Sequence, residues 1–125
     1  MNPFITSIKK CIHSFSYASS GLLFAFKNEN NFNFHFLATI IVVILGFVFQ
    51  LNLVEWIILV ILIGLVYLSE IFNTAIEKLV DLIHPELQSK AGLVKDIAAG
   101  GVLIASIISA IGGLILFLGK LCFLK

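Results

Sequence analysis

Residues 54–81 read VEWIILVILIGLVYLSEIFNTAIEKLVD, and this stretch decides the fold. Up to Leu68 it is apolar except for Glu55; it then carries Glu70, Asn73, Thr74, Glu77 and Asp81. No proline interrupts it, and Gly64 is its one glycine. A continuous helix of roughly 30 residues is ~45 Å long, more than the ~30 Å hydrocarbon core of a bilayer. Its last turns must therefore emerge into a polar layer. Ionisable groups in such helices are rare and mark polar sites. At 100° per residue, Glu70, Asn73, Glu77 and Asp81 fall within an arc of about 80°, which makes them one stripe.

The rest of the chain agrees with a membrane setting. Of its 125 residues 60% are hydrophobic and 12% charged, and the mean hydropathy is +1.12. A soluble domain is usually about half apolar and a quarter charged. The expectation is one integral-membrane domain, 1–125, of the all-α class. A net charge of +1 leaves no field for nucleic acid. Cys11 and Cys122 have neither metal nor redox spacing, so no disulfide is assigned. The opening MNPFITSIKKCIHSF lacks the features of a cleaved secretory signal. Insertion through the chain's own spans is expected.

Between residues 4 and 27, Ile5, Ile8, Ile12, Phe15, Leu22 and Phe26 recur at the helical period, and Ser7, Lys10, Ser14 and Tyr17 occupy another strip. This predicts an amphipathic helix lying on the membrane surface. Lys27 to Asn31 form a polar break. A first span follows over 31–51, a short turn at 50–55, and a second span over 54–83, ended by His84-Pro85. Residues 85–94 read as a polar loop and 94–120 as the third span, rich in Ala, Gly and Ser suited to close helix packing. Three spans put Lys9, Lys10, Lys27, Lys78, Lys90 and Lys95 on one side and Lys120 and Lys125 on the other. The positive-inside rule makes the first side cytoplasmic.

Glu29 at the start of span one and Lys95-Asp96 at the start of span three join the stripe in that layer. Separated carboxylates can hold Mg²⁺ together with substrate phosphates. A lysine balances phosphate charge, and a further carboxylate can take the proton of an attacking hydroxyl. Metal, cation and base are the parts of phosphoryl transfer. Glu70 is the deepest acid and the candidate base. Lys78, Lys90 and Glu86 read as solvated helix-end charges, and His35 and His84 as helix-end and loop residues. A channel would need polar groups through the membrane's depth, whereas these crowd one end. No P-loop or protein-kinase motif is present.

The run EIFNTAIEKLVD, residues 70–81, matches the pattern E-x-x-N-[ST]-A-I-E-x-x-x-D of the prokaryotic diacylglycerol kinase family. KDIAAGGVLI (95–104), SFSYASSGL (14–22) and NENNFNFH (28–35) extend the resemblance over nearly the whole chain. It implies a multi-pass lipid kinase of the bacterial cytoplasmic (inner) membrane, a homotrimer with active sites between protomers, using ATP and Mg²⁺. By position, Glu70 resembles the catalytic base, and Glu29 and Glu77 the metal carboxylates. Lys10, Tyr17, Glu29, Asn73, Glu77, Glu86, Leu87, Gln88, Lys95 and Asp96 resemble the ATP contacts. Ser14, Asn31, His35, Glu70 and Ala99 resemble the lipid-substrate contacts. Lys10 stands where many relatives have arginine, which keeps the charge and loses the bidentate fork. The stretches around Ser14, Asn31 and Asp96 look more like the branch that converts undecaprenol to undecaprenyl phosphate. The alternative the resemblance leaves is a diacylglycerol kinase making phosphatidic acid.

Overall fold

In a bilayer every backbone N–H and C=O must be satisfied within the chain, and a helix does so locally. The apolar stretches accordingly fold as helices in the computed structural model, which describes residues 3–83 and 89–123. The helices are α1 (Pro3–Asn28), α2 (Asn30–Val48), α3 (Leu53–Ile83) and α4 (Ser89–Phe123). Three contain segments long and apolar enough to cross a membrane. These are Asn31–Val48, Leu53–Ile83 and Lys90–Cys122, with mean hydropathies of 2.0, 2.2 and 2.5. The buried apolar side chains among the described residues are only Ala25, Phe32, Leu51, Leu59 and Ala105. Most large hydrophobics point outward, an arrangement that lipid stabilises and water does not.

Two boundaries differ from the sequence expectation. The first span stops at Val48, not at residue 51, because the chain closes a Schellman turn. Gln50 adopts φ 50°, its N–H donates to the Phe47 carbonyl, and the Leu51 N–H donates to the Gly46 carbonyl. Leu51 tucks its side chain back over Gly46. The third span begins its helix at Ser89, inside the stretch read as loop. Extending an existing helix adds one hydrogen bond for each residue fixed, which offsets the ~1 kcal/mol cost of Gly92. His84 to Gln88, and with them the expected nucleotide contacts Glu86, Leu87 and Gln88, lie outside the described residues.

The turn between α2 and α3 is capped reciprocally. Asn52 Oδ1 accepts from the Glu55 N–H at 3.0 Å, and Glu55 Oε2 accepts from the Asn52 N–H at 2.7 Å. Lys120 Nζ reaches the same Glu55 carboxylate at 2.8 Å and ties the end of α4 to this turn. α3 packs chiefly along α4. There Ser109 Oγ donates to the Leu62 carbonyl at 2.9 Å, and Gly112 lies beneath the Leu62 side chain. These are two of the small residues expected to allow close approach.

At Gly46 the α2–α3 hairpin is tightest. A Cβ there would lie 2.7 Å from Trp56 Cη2 and 3.1 Å from Cζ2. A rigid indole cannot yield as a leucine tip can. Gly46→Ala is expected to destabilise the hairpin by about 1–3 kcal/mol, read as a lower melting temperature in detergent. An unchanged melting temperature would show that the ring has room to move.

Candidate active site

The sequence stripe on α3 becomes a gradient of burial. Glu70 is 2% exposed and Asn73 7%, Glu77 is half-buried, and Asp81 is exposed. The stripe faces the junction of α2 and α4. Asn31 of α2, Glu70 and Asn73 of α3, and Ala99, Val102, Leu103 and Ser106 of α4 line a pocket of about 240 Å³. Four residues expected at the site (Asn31, Glu70, Asn73 and Ala99) thus share one cavity although three helices supply them.

Glu70 is held from the α2 side. His35 Nε2 lies 2.9 Å from Glu70 Oε1, with 19% and 3% of the two side chains exposed. One turn on, Thr39 Oγ1 donates to the His35 carbonyl at 2.8 Å and lies 3.3 Å from the Tyr67 hydroxyl. One turn before, fully buried Phe32 meets the Tyr67 and Phe26 rings, with centroids 6.0 and 4.7 Å apart. The short turn between Val48 and Leu53 makes α2 and α3 antiparallel, and the Thr39–Tyr67 and His35–Glu70 contacts follow that register.

Toward the polar end, Asn73 Nδ2 donates to Glu77 Oε1 at 2.8 Å. Asn73 Oδ1 is buried and accepts no hydrogen bond from the described residues. Glu29, at the α1–α2 corner, pairs at 3.5 Å with Lys78, the neighbour of Glu77. Lys95 of α4 pairs with Asp81, which gives Asp81 a partner that sequence reasoning did not assign. Asp96 beside it is exposed. On α1, Ser14 Oγ donates to the Lys10 carbonyl at 3.0 Å, and Tyr17 stacks on His13. Lys10, Ser14 and Tyr17 are exposed and are not among the walls of the pocket.

The donor set near Asn73 is one that Mg²⁺ could use. Among the described residues no three acidic, His or Cys side chains form a ready-made cage. Mg²⁺ does not require one, since it takes one or two carboxylates, phosphate oxygens and waters. Asn73 Oδ1, which has no partner among the described residues, and the Glu77 carboxylate one turn on, held by Asn73 Nδ2, are oxygens that a cation could use.

A second cavity of about 350 Å³ lies between α2, α3 and α4, walled by Ala38, Val42, Leu59, Leu62, Ile63 and Val66. His35 and Ser106 also line it, and Ser106 belongs to both cavities. Sequence reasoning missed Ser106, Thr39 and Tyr67. For two of them the signal was present in the spacing, since Thr39 is one turn from His35 and Tyr67 one turn from Glu70.

Residues 16–117 match the family model for prokaryotic diacylglycerol kinase. The chain belongs to this family. It is 41% identical over 114 residues to an undecaprenol kinase of Bacillus subtilis, covering 91% of this chain and 93% of that protein. It is 33% identical over 114 residues to a diacylglycerol kinase of Haemophilus influenzae, covering 90% and 97%. A diacylglycerol kinase of Escherichia coli is 32% identical over 106 residues, covering 85% and 87%. As a member of the prokaryotic diacylglycerol kinase family this all-helical membrane protein is an enzyme, a kinase.

Proposed function

We propose that this kinase transfers the γ-phosphoryl group of ATP, with Mg²⁺, to undecaprenol, making undecaprenyl phosphate. The observation that carries the phosphoryl-transfer reading is Glu70, a buried carboxylate open to a pocket and one turn from the Asn73–Glu77 pair. The higher identity to the undecaprenol kinase than to the diacylglycerol kinases supports the choice of lipid.

In this reading the lipid hydroxyl enters the 240 Å³ pocket and its apolar tail occupies the adjoining 350 Å³ cavity. Glu70 accepts the hydroxyl proton as the alcohol oxygen attacks the γ-phosphorus. The bond from that phosphorus to the bridging oxygen breaks and ADP leaves. Glu77, Asn73 and Glu29 would hold the metal. Bound there with ATP, Mg²⁺ supplies positive charge against the phosphate oxygens. Lys95 and Asp96, with Lys10 and Tyr17, contact the nucleotide. Asn31 and Ala99, with Ser14, line the lipid's path.

Among the described residues Lys10, Ser14 and Tyr17 make hydrogen bonds or ring contacts only within α1 or none, so a second copy of the chain is the natural route by which they reach a pocket. This supports sites between protomers, and the number of protomers in this reading, three, is the one the family resemblance implies. The N-terminal part of α1, with its exposed Ile8, Ile12 and Phe15, lies on the membrane surface. The site end carries Lys78 and Lys95, against Lys120 at the other end, so the site faces the cytoplasm across the inner membrane.

The test is transfer of labelled phosphate from ATP to the two lipids, with purified protein in mixed micelles. A higher kcat/KM for undecaprenol is expected. A higher value for diacylglycerol reassigns the substrate, and no transfer to either lipid overturns the kinase reading of this site.

A further inference from the structure

His35 is the one side chain among the described residues that hydrogen-bonds to Glu70. As the proton acceptor of the proposed transfer Glu70 acts as a carboxylate, which only accepts, and in that state Nε2 of the imidazole is the donor. That bond occupies Oε1, and Oε2 has no hydrogen-bond partner among the described residues. The histidine comes from the side of the apolar cavity and the carboxylate opens to the polar one. His35 therefore stands at the boundary between the space suited to a lipid tail and the oxygen suited to its hydroxyl. Its own position is set on both sides. Phe32 packs on Tyr67 a turn before, and Thr39 bonds the His35 carbonyl a turn after.

We propose that His35 is a positioning residue for the transfer: it clamps Oε1 of Glu70 and so presents Oε2 to the lipid hydroxyl. The inference rests on the reading of Glu70 as the proton acceptor. A carboxylate free to rotate about its terminal bonds would spend much of its time pointing elsewhere, and misplacement of a reacting group by ~1 Å can cost on the order of 10²-fold in rate. His35 touches neither nucleotide nor metal in this arrangement, so its effect belongs in kcat.

The experiment compares His35→Leu, His35→Met and His35→Gln in the full-length protein, with steady-state kinetics in undecaprenol and in ATP. Gln reaches about as far as His and keeps an N–H donor, whereas Met has the same reach and none. Leu and Met are expected to lower kcat by on the order of 10²-fold, with KM for ATP unchanged. Gln is expected to recover most of the loss. An unchanged kcat in Leu or Met overturns the proposal, as does a Gln variant no better than Met, or a loss confined to KM for the lipid. Should Leu fail to assemble, the Met and Gln pair decides alone. Glu70→Gln in the same assay separates the two failures. Retained activity there removes the base reading itself. An inactive Glu70→Gln beside a fully active His35→Met removes only the positioning role.

Discussion

Replacing Glu70 by Gln is expected to lower kcat by about 10²- to 10⁴-fold, the range that a positioned general base contributes. The substitution keeps the volume of the side chain and an oxygen that can still accept from His35 Nε2, so the α2–α3 contact survives. It also removes a charge from a site only 2% exposed. A charged side chain costs about 2.5–3.5 kcal/mol at the bilayer centre on insertion scales, and less toward the interface where this stripe leaves the membrane. The variant should therefore melt at or above the parent's temperature, and the pairing of lost turnover with retained stability is its signature. Turnover and melting temperature measured on one preparation check it. Full turnover would end the assignment of Glu70 as proton acceptor, whatever the lipid.

The second large effect is expected at Glu77. Glu77→Gln keeps an oxygen for Asn73 Nδ2 and loses the negative charge beside the buried Asn73 Oδ1. Removing even a supporting group from a metal site typically costs 10–100-fold, so a direct ligand is expected to cost about 10²-fold or more at ordinary Mg²⁺. Raising Mg²⁺ should recover part of the loss. The measurement is the initial rate against free Mg²⁺ at fixed ATP. A rightward shift of the midpoint supports a metal role, and an unchanged midpoint at lower rate removes it. Glu70→Gln, acting on the proton and not on the metal, should leave that midpoint where it is.

How much of this could be read from the chain alone varies by element. The spans were legible because apolar runs of that length have few alternatives in a bilayer. The polar stripe was legible because helical periodicity maps spacing directly onto a face. The end of α2 was misjudged by three residues, since a Schellman turn with Gln50 in the left-handed region has no glycine to announce it. The start of α4 was misjudged because polar residues next to a proline look like loop, although Pro85 has no hold on residues beyond the next turn. Pairing of the stripe's acids with nearby lysines was legible as a class, but which acid Lys95 takes, Asp81, was not, because the pair joins two helices.

The sequence by itself determined the membrane setting, the helical class, the family and the line of acids along one face of α3. Those properties depend on hydropathy and on spacing within a single helix. The tertiary structure alone decided which neighbours that line has. It put Asn31 and Ala99 across the pocket from Glu70, it left Asn73 Oδ1 buried without a partner among the described residues, and it paired His35 with Glu70 across 35 residues of chain. The register between two packed helices comes from side-chain fit, here Thr39 beside Tyr67 and Gly46 under Trp56, and no single helix carries that information.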